Sequence, residues 1–217
     1  MRRDLGIVIC IFILTAAALL AAGAPFVGGI TVLVTLLAAN WRLNQQSSGW
    51  AVIGLCRPTS FVRAAAAAVG WFSVAFLAAG IAQTIATDVL HWPPLDASRY
   101  GNLHGNLQRF LFLLGVTWTT AAFGEELLFR AFLLTRLELL LGNTRSATAT
   151  AVVLQAVLFG CAHGFQGATG ILTTSVVGLV FGAAYVRGRN LWPIMIAHGL
   201  VDSFGLVALY FGLSRGA

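Results

Sequence analysis

Residues 5–40 carry no charged side chain, and that run of about thirty-six residues decides what the chain can become. Crossing the hydrocarbon core of a bilayer takes about twenty apolar residues in a helix. One span cannot use up the run, and Gly23, Pro25 and the Gly28-Gly29 pair interrupt it. The pattern therefore predicts two helices joined by a tight turn. Further apolar segments run from Ala64 to Thr87, Leu107 to Leu141, Ala147 to Cys161, Gly170 to Tyr185 and Leu191 to Phe211. They are continuous rather than alternating, which is the texture of membrane helices and not of barrel strands. Charged residues make up only 9% of the chain, against about 25% in a soluble domain. The expected fold is all-α: a polytopic transmembrane helical bundle of about seven to eight helices with a buried polar cavity. Residues 1–217 are expected to form a single membrane-embedded domain.

Charge placement orients such a bundle. All basic residues are arginine, and the net charge is +6. Segments 2–3, 42–63, 136–145 and 187–189 hold most of them and can share one side, leaving the near-neutral stretch 88–106 on the other. That arrangement predicts a cytoplasmic N-terminus. The arginine-only, alanine-rich composition points to a GC-rich bacterial genome, and so to an inner-membrane location. No basic patch is interleaved with aromatics, which excludes a nucleic-acid partner. The expected partners are the lipid bilayer and a membrane-associated peptide or protein. Cys10, Cys56 and Cys161 show no CxxC spacing, so they give neither a disulfide framework nor a zinc signature. Met1-Arg2-Arg3 before an apolar run resembles a signal peptide, but the run extends to Ala39, which favours a retained first span. The polar stretch from Trp41 to Arg63, Ser47 included, reads as an interfacial loop with Trp41 and Trp50 at headgroup level.

Against this background five ionisable residues stand in apolar segments: Glu125, Glu126, His163, His198 and Asp202. A carboxylate at bilayer depth costs about 2.5–3.5 kcal/mol on insertion scales, so such groups pair, face a polar cavity, or work. Arg130 follows Glu126 at i+4, where the two can form an ion pair. Glu125 lies about 100° round the helix and is left to face a cavity. His198 and Asp202 share another helix face, again at i+4. A carboxylate withdrawn from water is a good general base, so Glu125 and the histidines could hold and activate a water. Glu125, His163 and His198 could equally ligate a divalent metal such as zinc, though the HExxH spacing is absent. Helical rise places Glu125 about 24 Å, His163 about 25 Å and His198 about 10 Å from the arginine-rich side, so His198 does not match the other two in depth. The segment from Leu107 to Leu141 would be about 50 Å long and must tilt, kink or protrude, with Gly124 as the expected bend. Gln155 and Gln166 could line a cavity or bond between helices, and Gly178 with Gly182 forms a close-packing GxxxG. His91 and His104 read as solvated surface residues.

Three ordered motifs then stand out: Glu125-Glu126-x-x-x-Arg130, Phe159-x-x-x-His163 and His198-x-x-x-Asp202. Together over residues 107–205 they resemble the CPBP family of CAAX-protease and bacteriocin-processing proteins, which includes the type II CAAX prenyl endopeptidases. The resemblance implies a membrane bundle whose polar cavity hydrolyses a peptide bond. It implies that Glu125 and His163 activate the water and that His198 with Asp202 stabilises the oxyanion. Glu126 and Arg130 would hold the site together, and Phe159 would pack beside His163. Position 202 departs from the commoner Asn. An ionised Asp cannot donate a hydrogen bond, so Asp202 is read as orienting His198. No feature of the sequence marks a prenyl-binding groove. Two rival readings are a proton-coupled transporter and a non-catalytic scaffold or immunity protein. Small size and the lack of matching halves weigh against the first. The chemically competent motif positions weigh against the second.

Overall fold

The glycines and proline near residue 25 make a hairpin. Helix α1 (Arg2–Ala21) ends just before Gly23, whose φ of +62° suits glycine, and α2 begins at Val27 and runs to Gln45. The computed structural model describes residues 2–46 and 49–213; Met1 and Ser47, both used in the sequence reading, lie outside the described residues. Five more long helices follow: α3 (Phe61–Val89), α4 (Leu107–Leu141), α5 (Arg145–Ala162), α6 (Gly167–Gly188) and α7 (Trp192–Tyr210). Ser60, Asn106 and Thr144 start α3, α4 and α5 by accepting a backbone N–H three residues on, and Pro193 sits in the first turn of α7. The architecture is all-helical, as expected.

Six of the seven helices are long and apolar enough to cross a membrane, and the chain is an integral membrane protein. The exception is α2, the second of the two spans expected in residues 5–40. Thr31, Thr35, Asn40 and Asn44 lower its hydropathy, and Thr31 and Thr35 are buried against the bundle. Helix α2 also continues through Trp41 and Arg42, so the polar loop begins later than the sequence suggested. Large apolar side chains such as Leu14, Leu37, Leu77 and Val69 point outward, the surface expected where lipid and not water is the solvent.

Small residues set the helix spacing. A Cβ at Gly178 would stand 3.0 Å from the Cα of Ala156, and Gln155 donates from Nε2 to the Gly178 carbonyl at 2.9 Å. The GxxxG thus brings α6 against α5, and Gln155 bonds between helices rather than lining a cavity. Gly124 has a similar use. Its Cβ would lie 2.8 Å from Val32 Cγ1, so glycine is required there for α2 to approach α4. Helix α4 absorbs its length another way: from Thr117 to Leu134 its hydrogen bonds run i to i+5, a wider helix that is rare and recurs at functional sites.

The two ends of the bundle differ as the charge pattern requires. At one end Arg42 pairs with Asp4, Arg136 donates to Gln46 at 2.8 Å, and Arg189 grips Glu138 through two 2.7 Å bonds. Asn190 reaches the Cys56 carbonyl there at 3.1 Å. The opposite end is closed by residues 91–106.

Candidate active site

Three helices supply the polar residues. Helix α4 carries Glu125, Glu126 and Arg130 in its wide segment, α5 ends on Phe159 and His163, and α7 carries His198 and Asp202. Glu126 is the centre. Its Oε1 accepts from Arg130 Nη1 at 2.9 Å and lies 2.7 Å from His198 Nδ1. A carboxylate oxygen only accepts, so Nδ1 of His198 carries the hydrogen. The Arg130 guanidinium stacks over Phe159 at 4.3 Å and lies 5.6 Å from the Phe181 ring centroid, a cation held among aromatic faces.

Fixing Nδ1 aims Nε2 of His198 at the other two carboxylates. It stands 3.5 Å from Asp202 Oδ2 and 4.0 Å from Glu125 Oε2. Glu125 Oε2 is buried with no hydrogen-bond partner from the protein. Exposure rises in order across these side chains: Glu126 0%, His198 5%, Glu125 16% and Asp202 32%. The cluster therefore has a dry floor at Arg130 and a wetter side at Asp202, one turn further along α7.

His163 joins through Phe159. Its Nδ1 donates to the Phe159 carbonyl at 2.9 Å, and the two rings are 4.7 Å apart. Because a carbonyl cannot donate, that bond sets the tautomer and leaves Nε2 as a lone-pair acceptor. The Phe159 ring also lies 6.1 Å from His198, so it packs between the two histidines. Among the described residues no ion pair within 4 Å joins His163 to Glu125.

All seven residues singled out in the sequence thus sit around one cluster, with His163 tied to it through Phe159. What the sequence did not show is the bond from Glu126 to His198. The sequence reading paired Glu126 with Arg130 and had Asp202 orient His198. The shortest contact on His198 is the one to Glu126. Nothing in the motif spacing could have signalled it, because the partners are separated by seventy-two positions.

The sequence offers Glu125, His163 and His198 as ligands for a divalent metal. A zinc ion needs ligands at about 2.0–2.2 Å from one point. Among the described residues no group of three His, Cys, Asp or Glu side chains is arranged to hold an ion, and the Nδ1 bonds of both histidines leave Nε2 as the ring nitrogen that would face one.

The residues 91–106 cross the Asp202 side of the cluster. Asp96 N donates to the Gln166 carbonyl at 3.1 Å, Thr169 Oγ1 donates to the Pro93 carbonyl at 2.7 Å, and Gly105 N donates to the Tyr210 carbonyl at 3.0 Å. Arg99 stacks over Phe165 at 4.2 Å, and Phe165 lies 6.0 Å from the His163 ring. Bonds from the Ser98 side chain and backbone hold the exposed Asp96 carboxyl below the usual range. His91 and His104 are exposed.

Residues 107–204 match the model of a family described as type II CAAX prenyl endopeptidase, Rce1-like. No curated protein and no solved structure matches the chain.

Proposed function

From the premise that residues 107–204 are an Rce1-like type II CAAX prenyl endopeptidase domain, a family of intramembrane peptidases, we propose that Glu125, His163, His198 and Asp202 form the catalytic site of an endopeptidase. Its substrate is a membrane-associated peptide or protein. Glu125 takes a proton from a water that is also held by the free Nε2 of His163, and the water oxygen attacks the scissile carbonyl carbon. His198, doubly protonated between the carboxylates of Glu126 and Asp202, donates to the developing oxyanion from Nε2, the one ring nitrogen not fixed by Glu126. The proton then passes to the leaving amine. Glu126 and Arg130 position His198, and Phe159 positions His163. The observation that carries this reading is His198 held at 2.7 Å by Glu126 on one nitrogen while the other stands 3.5–4.0 Å from Asp202 and Glu125.

The test compares peptide termini in cells making the wild-type chain with cells making Glu125→Gln or His163→Ala at equal membrane levels. Removing a general base costs about 10²–10⁴-fold, so wild-type-specific termini should vanish in both variants. Identical profiles, with a wild-type phenotype surviving in Glu125→Gln, would transfer support to the scaffold reading.

We further propose a bacterial inner-membrane location with the arginine-rich end in the cytoplasm. The Asp202 side of the cluster, beneath residues 91–106, then opens outward. In a chain with Cys10, Cys56 and Cys161 changed to Ala, a membrane-impermeant maleimide should label Ser98→Cys in intact cells and spare Ser146→Cys. The reverse pattern would invert the orientation.

A further inference from the structure

Helices α4 and α7 face each other across the chemistry proposed above. At the floor they are tied by the 2.7 Å contact between Glu126 and His198. A second tie is made by Trp118, near the start of the wide segment of α4. Its indole Nε1 donates to Ser203 Oγ at 3.1 Å, and the Ser203 hydroxyl donates in turn to the Gly199 carbonyl at 2.6 Å. The six-membered half of the indole lies against Gly199, where a Cβ would stand 2.6–2.7 Å from Cη2, Cζ2 and Cζ3. Carbon atoms pack at about 3.5–4.0 Å, so only glycine at this buried position lets the ring come so close.

Gly199 and Ser203 each follow one of the two α7 residues of the site, His198 and Asp202. Trp118 thus bears on the turn of α7 that carries the site, and does so from the helix that carries Glu125. The indole has one N–H and it is bonded to Ser203, so the side chain has no further hydrogen to give a reaction. What it fixes is distance. His198 Nε2 faces Glu125 Oε2 across 4.0 Å, and a misplacement of about 1 Å costs up to about 10²-fold in rate. We propose that Trp118 is a positioning residue of the peptidase: seated on Gly199 and bonded to Ser203, it sets the gap between Glu125 on α4 and His198 with Asp202 on α7. The assignment rests on the peptidase reading and adds to it a residue outside the three motifs.

The test measures initial rates and Tm in proteoliposomes for wild type, Gly199→Ala, Trp118→Phe, the double variant and Glu125→Gln. The probe is a synthetic peptide spanning a cleavage site defined by Glu125-dependent termini. Gly199→Ala adds a methyl that needs about 1 Å more room. Trp118→Phe lacks Cη2, Cζ2 and Cζ3 and leaves a hollow in their place. Each should lower kcat by about 10–100-fold with KM within about twofold. In the double variant the methyl fills the hollow, so kcat should recover by about tenfold over either single change, the non-additivity of groups in contact. Should Gly199→Ala not accumulate, Trp118→Phe against the double variant reads the same recovery. A tryptophan that only stabilises the fold would give losses that follow Tm and that multiply in the double variant. That result, an unchanged kcat in the single variants, or an effect on KM alone overturns the assignment while the peptidase reading stands. If wild type and Glu125→Gln are equally silent, both are overturned.

Discussion

Arg130 and Glu126 meet at 2.9 Å with neither side chain exposed, whereas Arg189 and Glu138 meet at 2.7 Å with the arginine 46% exposed. Geometry barely separates the pairs; their surroundings do. An ion pair in a dry interior loses several kcal/mol of hydration per ion, and its attraction does no more than roughly balance that loss. At the water-facing end the arginine keeps much of its hydration, and such a pair is worth about 0–1 kcal/mol. The two pairs therefore serve different ends. The outer one ties the end of α6 to the end of α4. The inner one is a poor way to gain stability, and its retention fits a role in holding Glu126 against His198.

The largest effect is expected from Arg130→Ala. It leaves Glu126 buried with its countercharge gone and removes the cation stacked on Phe159, so thermal stability in lipid or detergent should fall by about 3–5 kcal/mol. The sharper variant replaces both partners, Glu126→Leu with Arg130→Met. Apolar residues of similar volume should recover most of that stability, and Glu125-dependent cleavage should stay lost. If the double variant cleaves normally, the inner pair is only structural and the contrast between the two pairs disappears.

Much of this was legible in the sequence, and the reasons differ from residue to residue. The helices followed from uncharged runs, since lipid leaves the backbone few alternatives. The pairing of Glu126 with Arg130 followed from i+4 spacing. The depth of His198 did not. Counting from the end of α4 put Glu125 far deeper than His198, but the true level mark is Glu138, which grips Arg189. From those two residues Glu126 is twelve positions in and His198 nine, and the wide segment of α4 takes up the remainder. Gly124 was legible as special, yet its reason is a neighbour, Val32, from another helix.

The smallest effect is expected at the basic end. Arg189 is nearly half exposed, so most of the charge lost in Arg189→Ala is already screened by solvent. Glu138, only 4% exposed, is left without that partner, which sets the cost toward the upper part of the surface range, about 1 kcal/mol. For a domain of this size that lowers Tm by about 2–4 °C. The difference from wild type should shrink as salt is raised toward 1 M, where the screening length falls to about 3 Å, while the loss caused by Arg130→Ala should not move with salt. A large, salt-insensitive loss in Arg189→Ala would mean that the tie between α4 and α6 is buried in function if not in area. The distinction between an inner pair that positions and an outer pair that fastens would then have to be given up.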